Sequence, residues 1–210
     1  MEQSITIPSG DVMLEGAMTI TGSSAPVVIA CHPHPHYGGS MHNNVVEALR
    51  DELSSRGFSV LRFNFRGVGK SGGTSIGGLD DYRDVSAAAK FLKHHESTAN
   101  CPLLMAGYSY GAWVGIRHAL DDRDILAWAA VSPPVSLFDF SHLTDPGVPV
   151  CFVSGDRDDF CDLESLTHLV EGLHGQKRLE VVPGADHFYM GYEEEMAELV
   201  GRFFSDMFPS

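Results

Sequence analysis

The stretch Pro102-Leu103-Leu104-Met105-Ala106-Gly107-Tyr108-Ser109-Tyr110-Gly111-Ala112-Trp113-Val114-Gly115-Ile116-Arg117-His118-Ala119-Leu120 reads as a strand, a sharp turn and a helix in succession. The apolar run 102–106 has the character of a buried strand, and 112–120 that of a helix. Between them Gly107-Tyr108-Ser109-Tyr110-Gly111 fits the pattern G-x-S-x-G. That pattern sets a serine on a turn too tight for side chains two positions before and two after it. The hydroxyl of Ser109 is thereby raised at the mouth of a sheet, with the N-terminus of the next helix aimed at the same point. The backbone N–H of Tyr110 is then available to a developing oxyanion. A serine in a Gly-rich turn is the plain alternative, because five-residue patterns recur by chance. The strand–turn–helix context favours catalysis.

Outward from this segment, short apolar runs alternate with amphipathic ones. Residues 4–7 and 13–20 read as an antiparallel pair around a turn at Ser9-Gly10-Asp11. Buried strands are expected at 27–31, 59–65, 103–107, 125–131, 148–154 and 178–182. Helices are expected at 43–55, 80–93, 110–120, 163–173 and 193–207. Such alternation implies an α/β fold: a mostly parallel twisted sheet with helices on both faces. The connection from 131 to 148 carries no helical pattern, so no large cap is expected. With 210 residues and no linker or repeat, residues 1–210 read as one domain.

Composition narrows the function classes. Lys and Arg number 14 against 28 Asp and Glu, a net charge of −14, and this argues against a nucleic-acid partner. No run is long and apolar enough to span a bilayer. The N-terminus has no basic region followed by an apolar core, so no signal peptide and a cytoplasmic location are expected. Cys31, Cys101 and Cys151 lie in or beside strand-like runs and Cys161 in a loop. None forms a metal-type pair, and all read as core thiols of a reducing compartment.

A serine hydroxyl needs a base, and the base needs an orienting acid. In an open parallel sheet both come from loops after strand C-termini. His187 follows the last expected strand in Pro183-Gly184-Ala185-Asp186-His187-Phe188. Asp156, Asp158, Asp159 and Asp162 crowd the loop after the run 148–154, and the helix 163–173 sets the two loops side by side. Asp186 adjoins the base and reads as a turn residue. A second oxyanion donor should come from the loop after 27–31, His32-Pro33-His34-Pro35-His36-Tyr37-Gly38-Gly39. Pro33 and Pro35 have no N–H. His34, His36 and Tyr37 remain.

With these motifs the chain resembles the α/β-hydrolase superfamily along nearly its whole length. It is most similar to small, lid-free bacterial serine hydrolases with a His-Pro-His-Pro loop followed by Tyr-Gly-Gly and a segment like Asn64-Phe65-Arg66-Gly67-Val68-Gly69-Lys70-Ser71. Dienelactone hydrolases are more distant, since they carry cysteine where this chain has Ser109. The resemblance implies an acid three residues after the glycine that ends its strand, which is Asp158 after Gly155. Asp159 is the main rival, and Asp139, after the preceding strand, a lesser one. It also implies His34 as the second amide donor. The expected activity is a carboxylesterase on small or accessible esters, working through an acyl-enzyme on Ser109 and needing no cofactor. A thioesterase, lactonase or small-peptide hydrolase would use the same machinery. A binding module that kept the fold and lost turnover is the alternative outside the class. The substrate and oligomeric state are left open.

Other signals are set aside. His32, His34, His36 and His42 lack a companion carboxylate or cysteine at ligand spacing, so no metal site is expected. The segment 64–71 misses a phosphate-binding loop because Asn64 stands where glycine is required. It reads as a turn beside the catalytic edge, with Arg66 pairing with an acidic loop. Tyr37, Tyr110, Phe160 and Phe188 adjoin the candidate residues and are placed to line a substrate pocket. Trp113 reads as core, and His94, His95 and His118 as exposed helical surface.

Overall fold

The structure, a computed structural model, describes residues 2–209, the side chains of Leu79 and Asp80 excepted. Residues 1 and 210, the ends of the expected domain, lie outside the described residues. The strands are β1 (Glu2–Ser9), β2 (Val12–Thr19), β3 (Val27–Cys31), β4 (Ser59–Phe63), β5 (Leu103–Tyr108), β6 (Ile125–Val131), β7 (Val150–Gly155) and β8 (Lys177–Val182). They form one sheet in the order β1-β2-β4-β3-β5-β6-β7-β8. β1 and β2 pair antiparallel and β2 runs antiparallel to β4; from β4 to β8 every pairing is parallel. The helices are α1 (Asn44–Ser55), α2 (Leu79–His94), α3 (Tyr110–Asp121), α4 (Leu163–Gly172) and α5 (Glu193–Met207).

Strand periodicity divides the core. In β3, Val27, Ile29 and Cys31 face one way, with Leu103 and Met105 of β5, and join the α2, α3 and α4 side. Val28 and Ala30, with Leu104 and Ala106, face α1 and α5. Both faces are covered, which is why these strands are continuous apolar runs. From β3 the chain steps to β4 on one side and then returns to β5 on the other. The order therefore reverses between β3 and β5, and the loops leaving these two strands open a crevice at the sheet's C-terminal edge.

The differences from expectation have local causes. β7 begins at Val150 rather than 148 because Pro149 has no amide to give the ladder. β4 stops at Phe63, after which Asn64 spends its side chain on the Met41 amide and on Glu15. β8 is not a buried strand. It is the sheet's edge, mostly half-buried or exposed, and its Lys177, Arg178 and Glu180 suit a strand with one free side. The connection between β6 and β7 is made of turns without a helix, so no cap stands over the crevice. Among the described residues no helix is long and apolar enough to cross a membrane.

Candidate active site

Ser109 lies between β5 and α3 with φ 54° and ψ −121°. A Cβ at Gly107 would collide with the backbone of Gly111 and Ala112. One at Gly111 would strike the carbonyls of Cys31 and His32. The two glycines thus admit both the turn and the loop that passes across it. Ser109 occupies the N-cap of α3, yet its side chain makes no capping bond. Its Oγ instead stands 3.0 Å from His187 Nε2.

The His187 ring is fixed from its other side. Nδ1 lies 2.8 and 2.9 Å from the carboxylate oxygens of Asp158. Asp158 Oδ1 also accepts from the amides of Phe160 and Cys161, both at 2.9 Å. Burial opposes ionisation of Asp158, but hydrogen bonds from His187, Ser132 and Cys161 outweigh it and hold the carboxyl below the usual range. With Nδ1–H donating to Asp158, Nε2 is left to accept from the Ser109 hydroxyl. That geometry suits proton transfer from serine to imidazole.

The other acids are engaged elsewhere. Asp156 Oδ1 accepts from Gly184 N, Asp139 Oδ1 from Ser141 N, and Asp162 Oδ2 caps α4 through Ser165 N. Asp159 is exposed. Asp186 Oδ1 accepts from Phe188 N and closes the turn that carries His187. A Cβ at Gly155 would collide with the Ala185 carbonyl, so the loops bearing Asp158 and His187 touch backbone to backbone.

Three supporting residues escape sequence reading. The Tyr108 hydroxyl donates to the His187 carbonyl at 2.7 Å. Ser132 Oγ and the buried Tyr189 hydroxyl bond at 2.9 Å behind Asp158. Among the described residues, those other than glycine with positive φ are Ser109, Ser132 and Tyr189, and all three belong to this site. Such backbone costs roughly 1–3 kcal/mol per residue and concentrates where position matters more than stability.

The loop after β3 lies over the first turn of α3, with the His34 ring 4.4 Å from that of Tyr110. Of its three candidate amides, that of Tyr37 donates to the His34 carbonyl and that of His36 to His34 Nδ1. The Tyr110 hydroxyl donates to Asp81 Oδ2 at 2.7 Å and accepts from the Gly78 amide. Buried Asp81 also accepts from Ser75 Oγ, while the Ser75 carbonyl meets His36 Nε2 at 2.9 Å. One carboxylate of α2 thereby ties the elbow to the loop.

His32 is structural. Its buried ring donates from Nδ1 to the Pro33 carbonyl and accepts the Phe65 amide at Nε2. Burial pulls its pKa from 6.5 to about 4. The unfolded chain therefore takes up this proton near 6.5 and the folded protein not until about 4. The stabilisation is intact above 6.5 and is lost as pH falls through that window, by up to about 3 kcal/mol. Urea unfolding should accordingly show wild type losing more stability than His32→Gln between pH 7 and about 4.5. Equal losses in the two proteins would contradict this account.

Arg66 pairs with buried Asp84, a residue of helix α2 rather than of an acidic loop. His118 is buried, not exposed, because α2 covers that side of α3. Its ring meets Tyr82 edge-on and its Nε2 lies 3.3 Å from Asp122. Trp113 packs on the core and on Phe138. Above Ser109 opens a cleft of about 770 Å³ lined by Tyr37, Tyr110, Phe160 and Phe188, and also by Leu137 and Phe138 of the β6–β7 connection.

Comparison with known proteins accords with this architecture. A family described as "Alpha/beta hydrolase domain" matches residues 26–199. An uncharacterized protein of Rickettsia prowazekii is 33% identical over 87% of this chain and 80% of its own. An alpha-beta serine hydrolase homologue from Coxiella burnetii is 33% identical and superposes with TM-score 0.88 over 95% of this chain and 96% of the other. A serine hydrolase without lid from Xanthomonas campestris, 28% identical, superposes with TM-score 0.90 over 100% and 96% of the two chains.

Proposed function

The chain belongs to the alpha/beta hydrolase family, and from that premise we propose that it is a serine hydrolase acting as a carboxylesterase on small or accessible esters. The observation that carries this reading is the relay from Ser109 Oγ through the His187 ring to Asp158, with contacts of 3.0 and 2.8 Å. In this reading Ser109 Oγ attacks the ester carbonyl while His187 Nε2 takes its proton. The oxyanion accepts from the amides of Tyr110 and His34, the loop amide left once those of His36 and Tyr37 are engaged. Collapse breaks the C–O bond, and His187 returns the proton to the departing alkoxide, releasing the alcohol. Water, deprotonated by His187, then attacks the acyl-enzyme. The second collapse frees the acid, and Ser109 regains its proton. Asp158 holds the neutral ring in the productive tautomer and offsets the imidazolium charge.

A fluorophosphonate probe tests the reading directly, because it reacts far faster with a serine activated in this way than with an ordinary hydroxyl. The folded protein should gain one adduct, on the peptide containing Ser109. Wild-type protein that stays unlabelled at Ser109 would exclude the mechanism.

A further inference from the structure

The walls of the cleft discriminate among esters. Leu137 and Phe138 come from the β6–β7 connection, Phe160 from the loop after β7, Phe188 from the loop after β8 and Tyr37 from the loop after β3. Among the described residues that line it, none is Lys, Arg, Asp or Glu. Phe160 and Phe188 stand against the His187 ring at 4.8 and 5.7 Å, so the wall reaches the reacting centre. Tyr37, Leu137 and Phe188 leave 89%, 63% and 57% of their surface exposed. Apolar surface gathered at one rim marks a place where apolar matter binds.

Charge around the cleft points the same way. The exposed acids Asp139, Asp156 and Asp159 lie in the loops that build its walls, and among the described residues of those loops the one Lys or Arg, Arg157, is exposed and does not line the cleft. The chain as a whole carries −14. An anionic group brought into the cleft would be repelled on approach and then stripped of water with no fixed cation to receive it. Resting on the serine-hydrolase reading above, we infer that the site takes uncharged esters with an apolar acyl or alcohol group and rejects anionic ones, acyl-CoA thioesters included. The discrimination acts on charge, not on the atom that leaves. A neutral thioester should be accepted.

Two matched pairs separate these effects: p-nitrophenyl butyrate against p-nitrophenyl hemisuccinate, and hexanoyl-N-acetylcysteamine against hexanoyl-CoA. In each, the neutral member should be favoured about 100-fold or more in kcat/KM at low salt. The gap should narrow in about 0.5 M salt, where the long-range repulsion is screened. Leu137→Arg places a cation at an exposed part of the rim and should narrow it about tenfold or more at low salt. Fluorophosphonate labelling of the same preparations keeps the two claims apart. Protein that labels at Ser109 yet hydrolyses the anionic members as well as the neutral ones overturns this inference alone. Protein that does not label overturns the serine-hydrolase reading and this inference with it.

Discussion

Ser109→Ala is expected to lower ester turnover by roughly four orders of magnitude or more while moving the melting temperature by no more than about 2 °C. Ser109→Gly should lose as much activity and gain stability. The two variants differ in what they do to the backbone. Alanine removes the Oγ but keeps the Cβ, and with it the cost of holding φ at 54°. Glycine relieves that cost, about 1–3 kcal/mol, against about 0.5–1 kcal/mol of extra freedom in its unfolded chain. A net gain near 1 kcal/mol is worth about 2–4 °C in a chain of this length. Activity is read with a p-nitrophenyl ester and stability by calorimetry. Alanine protein that still turns over ester at a tenth of the wild-type rate would remove Ser109 as nucleophile. Glycine protein that melts lower than alanine protein would remove the strain argument and leave the chemistry standing.

Asp158→Asn should cost about 10⁴-fold in kcat, with Asp159→Asn within about threefold of wild type. The geometry determines how the amide sits. Phe160 and Cys161 both donate to Oδ1, which pins the asparagine oxygen there and leaves its NH₂ at the Oδ2 position, 2.8 Å from His187 Nδ1. Oδ1, 2.9 Å from Nδ1, already serves two amides, and the nearer NH₂ favours an accepting Nδ1, so the ring proton shifts to Nε2 and points at Ser109. An imidazole in that tautomer cannot take the hydroxyl proton. The fold should survive, because both backbone amides keep their acceptor. A larger loss from Asp159→Asn than from Asp158→Asn would reassign the acid.

Much of the architecture was legible because it rests on local pattern. The run through Ser109 declares strand, turn and helix by hydrophobic period and by two glycines. The strand behind His187 was legible too, although its exposure was not: being last in the sheet order is a property of pairing, and 177–182 does not encode it. The choice of acid marks a limit. Four aspartates share one loop, and only resemblance separates Asp158 by sequence; in space it is singled out by the His187 ring and two amides. Ser132 and Tyr189 were illegible because no residue type announces a left-handed backbone that tertiary packing imposes. Leu137 and Phe138 lie in a connection without period, so nothing local assigns them to a wall. His118 misled because its exposure depends on where α2 comes to lie.

The meeting of Gly155 with Ala185 bears on anyone who would redesign this scaffold. Because the main chains touch there, neither segment can be lengthened, shortened or exchanged for a homologous insert without displacing its neighbour. A graft that imports the final histidine turn from a relative must bring the aspartate turn with it. Recombination should therefore treat the two as a single inherited cassette, with one crossover point ahead of β7 and the other within α5, so that α4 and β8 travel with both turns.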